Sequence, residues 1–159
     1  MKKISKWARL IRDAGRVYAC GNGGSAANAI HLCNDLISVG IKAHALTGDI
    51  ATLSAIANDY GYDMVFDRQL RVFAEPGDLL ICLSGSGKSV NIIKAIERAK
   101  AKGMTTLSII GAYNNPPPTA ATNSHYCIRK GSDMQRAEEY QLLWGHSMMR
   151  QLRKDDAGC

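Results

Sequence analysis

Apolar and polar positions along this chain follow two different periodicities. Short apolar or alternating runs predict β-strands at residues 16–20, 41–46, 79–83, 105–110 and 125–129. Segments in which apolar residues recur every three or four positions predict helices at residues 4–14, 25–38, 51–58, 64–73, 90–102 and 134–153. Because strands and helices alternate, the pattern predicts an α/β protein built on a mainly parallel sheet of about five strands.

The length and composition of the chain indicate one domain. Its 159 residues, 46% of them hydrophobic and 21% charged, have the composition of a soluble globular protein. Two strand–loop–helix units, at residues 17–36 and 79–100, share a layout but differ too much in sequence to be a repeat. Since no linker separates them, we expect a single domain over residues 1–159.

The net charge of +6 favours an anionic partner, but its distribution argues against nucleic acid. Basic residues gather near both ends of the chain and form no arginine-rich face with interleaved aromatic residues. The charge therefore predicts an anionic small molecule rather than DNA or RNA.

Cysteine usage and hydropathy predict the cellular compartment. The five cysteines are odd in number and include no C-x-x-C pair. The sequence shows neither a signal peptide nor an apolar run of membrane length. We therefore expect a protein of the reducing cytoplasm, with free thiols and no membrane partner.

The first glycine-rich loop, Gly21-Asn22-Gly23-Gly24-Ser25, lies between a predicted strand and a predicted helix. Its three glycines let the backbone approach a ligand closely. The start of the helix adds unpaired N–H groups and a positive dipole end, which suit an anion such as phosphate. His31 and Asp35 follow, four positions apart and on one face of the same helix.

A second loop, Ser84-Gly85-Ser86-Gly87-Lys88-Ser89, offers three hydroxyls at another strand–helix junction. Its Gly-Lys-Ser ending is similar to a nucleotide-binding P-loop, but Cys82 stands where the G-x-x-x-x-G-K-[ST] pattern requires glycine. Phosphate binding without a nucleotide is therefore the preferred interpretation. An ordinary serine turn that caps a helix stays open as an alternative, as does a nucleotidase, which ATP binding would reveal.

Two further titratable residues lie in the last predicted helix. Glu138 and His146 are eight positions apart, a little over two turns, and so lie roughly on one face. Together with His31 and Asp35 they give two helices that each carry one histidine and one carboxylate. Such a set could transfer protons between adjacent carbons or hold a divalent metal such as zinc. Taken alone, a helix-surface His–Asp pair is more often a structural contact, and a lone His146 is more often a packed or surface histidine.

Three motifs together resemble the sugar isomerase (SIS) domain. They are Cys-Gly-Asn-Gly-Gly-Ser-Ala-Ala-Asn-Ala-x-His from Cys20, Ala-Asn-Asp-Tyr-Gly-Tyr from Ala57, and Ser-Gly-Ser-Gly-Lys-Ser-Val-Asn-Ile-Ile-Lys-Ala from Ser84. From about Gly15 to Arg153 the sequence is similar to the phosphoheptose isomerases, which interconvert sedoheptulose 7-phosphate and D-glycero-D-manno-heptose 7-phosphate.

The resemblance implies a doubly wound fold, flavodoxin-like or Rossmann-like, with helices on both faces of the sheet. It also implies a homo-oligomer, a tetramer or a dimer, with active sites between subunits. An aldose–ketose isomerase acting on a heptose 7-phosphate through an enediol needs no nucleotide or organic cofactor. Zn²⁺ is the one cofactor that the resemblance suggests, because some members of the family bind it.

The resemblance also assigns roles to individual residues. It implies that the sugar phosphate is bound by Asn22, Gly23, Ser25, Asp59, Ser84, Gly85, Ser86, Ser89 and Glu138. Asp35 falls where the family has the base that removes a proton from the substrate, and His146 falls on the histidine that handles the other proton. The positions that hold zinc in metal-binding members are those of His31, Asp35, Glu138 and His146.

Some positions depart from the family pattern. Asp35 replaces a glutamate, Glu138 replaces a glutamine, and most of the family's N-terminal helical arm has no counterpart in this sequence. A base that is shorter by one methylene could lower the rate by about a hundredfold. The departures leave a second function open: a non-catalytic SIS module that binds a sugar phosphate as a sensor, or an assembly adaptor that binds a replication initiator.

Overall fold

In a computed structural model, which describes residues 2–111, 124–127 and 133–157, strands and helices alternate along the chain. The strands are β1 (Val17–Cys20), β2 (Ala43–Ala45), β3 (Leu79–Ser84), β4 (Thr105–Ile110) and β5 (Ser124–Cys127). The helices are α1 (Lys2–Asp13), α2 (Gly24–Ser38), α3 (Ile50–Tyr60), α4 (Asp67–Phe73), α5 (Val90–Ala101) and α6 (Met134–Ala157). A short 3₁₀ turn, Tyr62–Met64, lies between α3 and α4.

The five strands are parallel and lie in the order β2-β1-β3-β4-β5. This is the strand order of flavodoxin-like doubly wound folds, and it confirms the predicted fold class. β1 and β3 lie side by side where the strand order reverses, with Cys20 next to Cys82 in register. In such sheets ligands bind beyond the carboxyl ends of the strands at this point, so the loops after β1 and β3 are in the expected binding position.

Successive residues of the central strand pack into different core layers. Leu79, Ile81 and Leu83 of β3 lie in one layer with residues of α1, α2 and α6. Leu80 and Cys82 lie in the opposite layer with residues of α4 and α5. β3 is therefore buried on both faces, which explains its uninterrupted apolar run.

The last helix, α6, packs along α1 and α2. The rings of Trp7 in α1 and Trp144 in α6 lie with their centroids 6.2 Å apart. The side-chain amide of Asn28 in α2 donates a hydrogen bond to the backbone oxygen of Glu138 at 2.9 Å. These contacts bring the face of α6 that carries Glu138 and His146 alongside α2.

Some boundaries differ from those that the periodicity predicts. β2 has three residues instead of six, because an edge strand has only one neighbour to pair with. The helix predicted at 64–73 begins later, since Gly61, with φ 92°, leads into the 3₁₀ turn and α4 starts only at Asp67. Helix α6 continues past residue 153 to Ala157.

The thiols and the helices of the structure bear on the predicted compartment of the protein. Cys20, Cys33 and Cys82 are buried free thiols, whereas the side chains of Cys127 and Cys159 lie outside the described residues. None of the described helices combines the length and apolar character that crossing a membrane requires.

Candidate functional site

The glycine loop, residues 21–25, connects β1 to α2 and is shaped by close contacts. A Cβ atom on Gly21 would lie 2.5 Å from the carbonyl oxygen of Ser25, so a larger residue would force the loop open. Gly23, with φ 56°, has a left-handed conformation that glycine adopts at little cost. A Cβ atom on Gly24 would lie 2.2 Å from a carboxylate oxygen of Glu138. The glycines thus let the start of α2 and the Glu138 side chain lie against each other.

The serine loop, residues 84–89, connects β3 to α5. The hydroxyl of Ser84 accepts a hydrogen bond from the Gly87 N–H at 2.9 Å, and the hydroxyl of Ser86 accepts one from the Lys88 N–H at 3.2 Å. These bonds curl the backbone toward Ser89, the N-cap of α5, whose side chain makes no capping hydrogen bond. The Ser89 hydroxyl is therefore available to an anion at the positive end of α5.

The two loops form the walls of one pocket of about 150 Å³. It is lined by Asn22, Ser25, Leu83, Ser84, Gly85, Ser86, Ser89, Met134 and Glu138, and we call it the serine pocket. This set includes every residue predicted to bind substrate except Gly23 and Asp59. Its volume suits a phosphate-sized group better than a whole nucleotide, because pockets for drug-sized ligands span roughly 300–1,000 Å³.

A larger cavity, of about 600 Å³, lies elsewhere on the molecule. Its lining includes Arg16, Lys42, His44 and Phe73, and the first two of these directly precede β1 and β2. It therefore lies at the amino ends of the strands, opposite to the edge where doubly wound sheets bind ligands. None of the predicted site residues lines it, so the chemistry favours the smaller serine pocket over the larger cavity.

Three of the four predicted metal ligands form a cluster between α2 and α6. The Nε2 atom of His31 lies 3.4 Å from Oδ2 of Asp35 and 3.1 Å from Nε2 of His146. One ligand atom from each of the three residues lies within 4.8 Å of the other two. The His31 side chain is 46% exposed and that of Asp35 is 20% exposed, so a solvent molecule or a substrate can reach the cluster.

The remaining predicted site residues lie apart from this His–Asp–His cluster. Glu138 lines the serine pocket and is not part of the cluster in this conformation. Asp59 is exposed near the end of α3, where the side-chain amide of Asn58 donates a hydrogen bond to it at 2.9 Å. Gly23 shapes the glycine loop but does not line the serine pocket.

Two residues at the site were not singled out from the sequence. Asn91, which is 3% exposed, exchanges two side-chain hydrogen bonds with Asn22 at 2.8 and 3.0 Å. The Tyr62 hydroxyl donates to Oδ1 of Asn22 at 3.0 Å. The sequence contains one signal for each of them. Asn91 is a polar residue at the start of α5, two positions after the serine loop, and Tyr62 is the last residue of the motif that begins at Ala57.

Buried thiols beneath the loops are poor candidates for catalysis. Burial raises the pKa of Cys33 to about 12. The Cys20 thiol donates a hydrogen bond to the sulfur of Cys82, 3.6 Å away, and this bond together with burial raises the pKa of Cys20 well above its ordinary value. Thiols that stay protonated are weak nucleophiles, so the carboxylates and imidazoles are the better candidates for proton transfer.

Comparisons with known proteins identify the family and the fold. The model of the SIS domain family matches residues 2–111. The phosphoheptose isomerase of Thiobacillus denitrificans is 36% identical over 157 residues, 92% of this chain and 80% of the relative. That of Shewanella sediminis is 39% identical over 154 residues, 92% of this chain and 78% of the relative. The solved structure of the phosphoheptose isomerase from Neisseria gonorrhoeae matches with a TM-score of 0.82 at 30% identity, covering 96% of this chain and 84% of that chain.

Proposed function

This chain belongs to the SIS domain family, and on that premise we propose that it is a phosphoheptose isomerase that interconverts sedoheptulose 7-phosphate and D-glycero-D-manno-heptose 7-phosphate. It is thus an aldose–ketose isomerase. The observation that carries the proposal is the meeting of the glycine and serine loops in one pocket at the switch point of the sheet.

The phosphate is proposed to bind at the serine loop. Hydroxyls of Ser84, Ser86 and Ser89 line the serine pocket beside the amino end of α5. Hydroxyl donors and a helix N-terminus stabilise a dianion without a nucleotide-binding motif. Asn22 and Ser25, on the opposite wall, then face the sugar.

The reacting carbons are proposed to lie near the His–Asp–His cluster. His31 follows Ser25 by six positions in α2, which corresponds to about 9 Å along the helix axis. An extended seven-carbon sugar phosphate covers a comparable length. A heptose whose phosphate occupies the serine pocket therefore reaches the cluster with its carbonyl end.

Proton transfer in this geometry follows the enediol route. The Asp35 carboxylate takes a proton from C1 of the ketose, the C1–H electron pair forms the C1=C2 double bond, and the π pair of the C2 carbonyl moves onto O2. His146 gives a proton to O2, which completes the cis-enediol, and takes the hydroxyl proton from O1, whose electron pair then forms the C1 carbonyl. The C1=C2 electron pair takes a proton from Asp35 at C2, which completes the aldose and regenerates the carboxylate.

The cluster also fits a divalent metal. Two imidazole nitrogens and one carboxylate oxygen within 4.8 Å of one another are a donor set that Zn²⁺ accepts. His31, Asp35 and His146 would hold the ion, and a rotated Glu138 side chain is the fourth proposed ligand. A bound zinc ion would polarise the oxygens of the substrate.

A homo-oligomer in the cytoplasm is the proposed state of the enzyme. Large apolar side chains stay exposed on the helices that carry the site, with Ile30 46%, Ile37 58% and Leu143 55% exposed. A second copy of the chain would cover such residues. Sedimentation velocity of the native protein tests this, and a monomer at micromolar concentration would contradict it.

The activity is tested with purified protein and sedoheptulose 7-phosphate, with and without added zinc. We expect the aldose to form, and Asp35→Asn, which keeps the shape of the side chain but removes its charge, should abolish turnover while substrate still binds. His146→Ala should do the same, whereas His44→Ala, which removes an exposed histidine outside the site, should keep full activity. Tight substrate binding without turnover in either condition would instead indicate the non-catalytic sugar-phosphate module.

A further inference from the structure

We propose that Asn91 is a positioning residue: it fixes the side-chain amide of Asn22 so that Asn22 offers the bound sugar phosphate only an N–H donor. The inference deepens the proposed function, on which it rests, and concerns a residue outside the lining of the serine pocket. Its basis is a set of four hydrogen bonds around two amides that belong to different strand–loop–helix units.

The orientation of Asn91 is set by the backbone. The N–H of Ile92 donates to Oδ1 of Asn91 at 3.0 Å. A backbone N–H can only donate, so the Asn91 oxygen must lie on this side and its NH₂ group on the other. The amide of Asn91 is therefore not free to reverse its oxygen and nitrogen, although side-chain amides often are ambiguous in this respect.

The orientation of Asn91 then determines that of Asn22. Nδ2 of Asn91 donates to Oδ1 of Asn22 at 2.8 Å, and Nδ2 of Asn22 donates back to Oδ1 of Asn91 at 3.0 Å. The Tyr62 hydroxyl donates to the same Asn22 oxygen at 3.0 Å. A reversed Asn22 would place its NH₂ group against the NH₂ group of Asn91 and its oxygen against the Asn91 oxygen, so the network excludes that orientation.

The count of donors and acceptors leaves one group of Asn22 for a ligand. A side-chain amide has two acceptor lone pairs and two N–H groups. Asn91 and Tyr62 occupy both lone pairs of the Asn22 oxygen, and Asn91 takes one of the two N–H groups. Among the residues that the structure describes, the second N–H has no partner, and Asn22 lines the serine pocket. A single donor suits a phosphate, carbonyl or hydroxyl oxygen and is unsuited to a group that can only donate.

The network also joins the two loops that form the pocket. Asn22 lies in the glycine loop after β1, and Asn91 follows the serine loop in the first turn of α5. Because Asn91 is only 3% exposed, loss of its amide would leave buried polar groups unpaired and would free the glycine loop to move relative to the serine loop. Asn91 thus acts on the ligand through Asn22.

The test is a double-mutant cycle in which calorimetry measures the dissociation constant for sedoheptulose 7-phosphate. Asn22→Ala and Asn91→Ala should each weaken binding by about tenfold, the equivalent of one lost hydrogen bond to the sugar. If Asn91 acts only through Asn22, the double variant binds no more weakly than Asn22→Ala alone. Fully additive losses, or native binding by Asn91→Ala, would overturn the inference.

Two further variants separate positioning from general destabilisation. Tyr62→Phe removes one hydroxyl from a side chain that is 56% exposed, so it should fold normally, weaken binding by about threefold and have no effect when Asn22 is already alanine. Gln69→Ala removes a buried amide that donates to the backbone oxygens of Leu46 and Val65, outside the pocket. This control should lower the melting temperature and keep the native dissociation constant.

The outcomes distinguish this inference from the proposed function. Binding with the expected pattern of losses but no isomerisation would overturn the proposed function and leave the positioning role of Asn91 in place. Native isomerisation together with unchanged binding in Asn91→Ala and Tyr62→Phe would overturn the positioning role alone. A native protein that binds no sugar phosphate would overturn both.

Discussion

The contact between Gly24 and Glu138 allows a sharp test of the pocket. In Gly24→Ala the new Cβ atom would lie 2.2 Å from Oε2, 2.3 Å from Cδ and 2.5 Å from Oε1 of Glu138. Carbon and oxygen atoms in contact are separated by about 3.5 Å, so the carboxylate must retreat by roughly 1 Å. The end of a glutamate side chain can move this far, whereas the backbones of α2 and α6 need not.

The displacement should affect activity far more than stability. Alanine is a better helix former than glycine by up to about 1 kcal/mol, which offsets the strain of moving one side chain. A group misplaced by about 1 Å can lower the rate by roughly a hundredfold, which corresponds to ~2.7 kcal/mol of transition-state stabilisation. We therefore expect Gly24→Ala to melt within a few degrees of the native protein and to lose about two orders of magnitude in kcat/KM.

The assay measures kcat/KM on sedoheptulose 7-phosphate and the melting temperature in parallel. Gly145→Ala is the matched control on α6, because its Cβ atom would meet only a methyl group of Leu32 at an ordinary 3.6 Å. The double variant Gly24→Ala, Glu138→Ala should have the activity of Glu138→Ala alone, since the displaced group is then absent. Native kcat/KM in Gly24→Ala, or losses that add in the double variant, would refute the placement of Glu138 in the pocket.

Three predictions concern groups outside the pocket. Nε of Arg98 donates a hydrogen bond to the buried Asp67 at 2.8 Å. Arg98→Met should therefore reduce the free energy of unfolding, measured by urea denaturation, by about 3 kcal/mol. A loss below about 1 kcal/mol would contradict this. Burial raises the pKa of Cys33 to about 12, so iodoacetamide at pH 8 should not alkylate this thiol in the native protein. Peptide mapping measures the modification, and rapid alkylation would show that the thiol is accessible. A hydrogen bond and ion pair with the Lys94 ammonium hold the pKa of Asp63 below its ordinary value. The stability that this pair contributes is therefore complete above about pH 4, and it is lost as the pH falls through the lowered pKa. The gap in melting temperature between native protein and Lys94→Met should accordingly close from pH 6 to pH 2, and a gap independent of pH would contradict the pairing.

The order of strands and helices could be predicted because each central strand is buried on both faces. An uninterrupted apolar run such as residues 79–83 is typical of a strand that is buried on both faces, and these residues form β3. The edge strand is a different case. Apolar and polar residues alternate over residues 41–46, as they do in a strand, but only Ala43–Ala45 forms strand pairs. Among the described strands, β1 is the single neighbour of β2. The length of an edge strand depends on tertiary contacts that local periodicity does not contain.

The two loops of the site could be predicted from the sequence, but the contacts between the loops could not. Ser84, Ser86 and Ser89 stand in one short motif, and a flavodoxin-like sheet brings that motif to the glycine loop. The partner of Asn22, by contrast, lies 69 positions away at Asn91. Such a pair leaves no trace in spacing or hydropathy, because it forms only when two strand–loop–helix units pack side by side. The Gly24 contact with Glu138 is hidden for the same reason.

The central claim, isomerisation of a heptose 7-phosphate through an enediol, is tested most directly by proton NMR in D₂O. Native protein incubated with sedoheptulose 7-phosphate should produce D-glycero-D-manno-heptose 7-phosphate. Because the Asp35 side chain is 20% exposed, the proton it carries should exchange with solvent, so the aldose should contain deuterium at C2. Unchanged aldose formation by Asp35→Asn would contradict the role of Asp35, and the absence of aldose at saturating substrate would contradict the function itself.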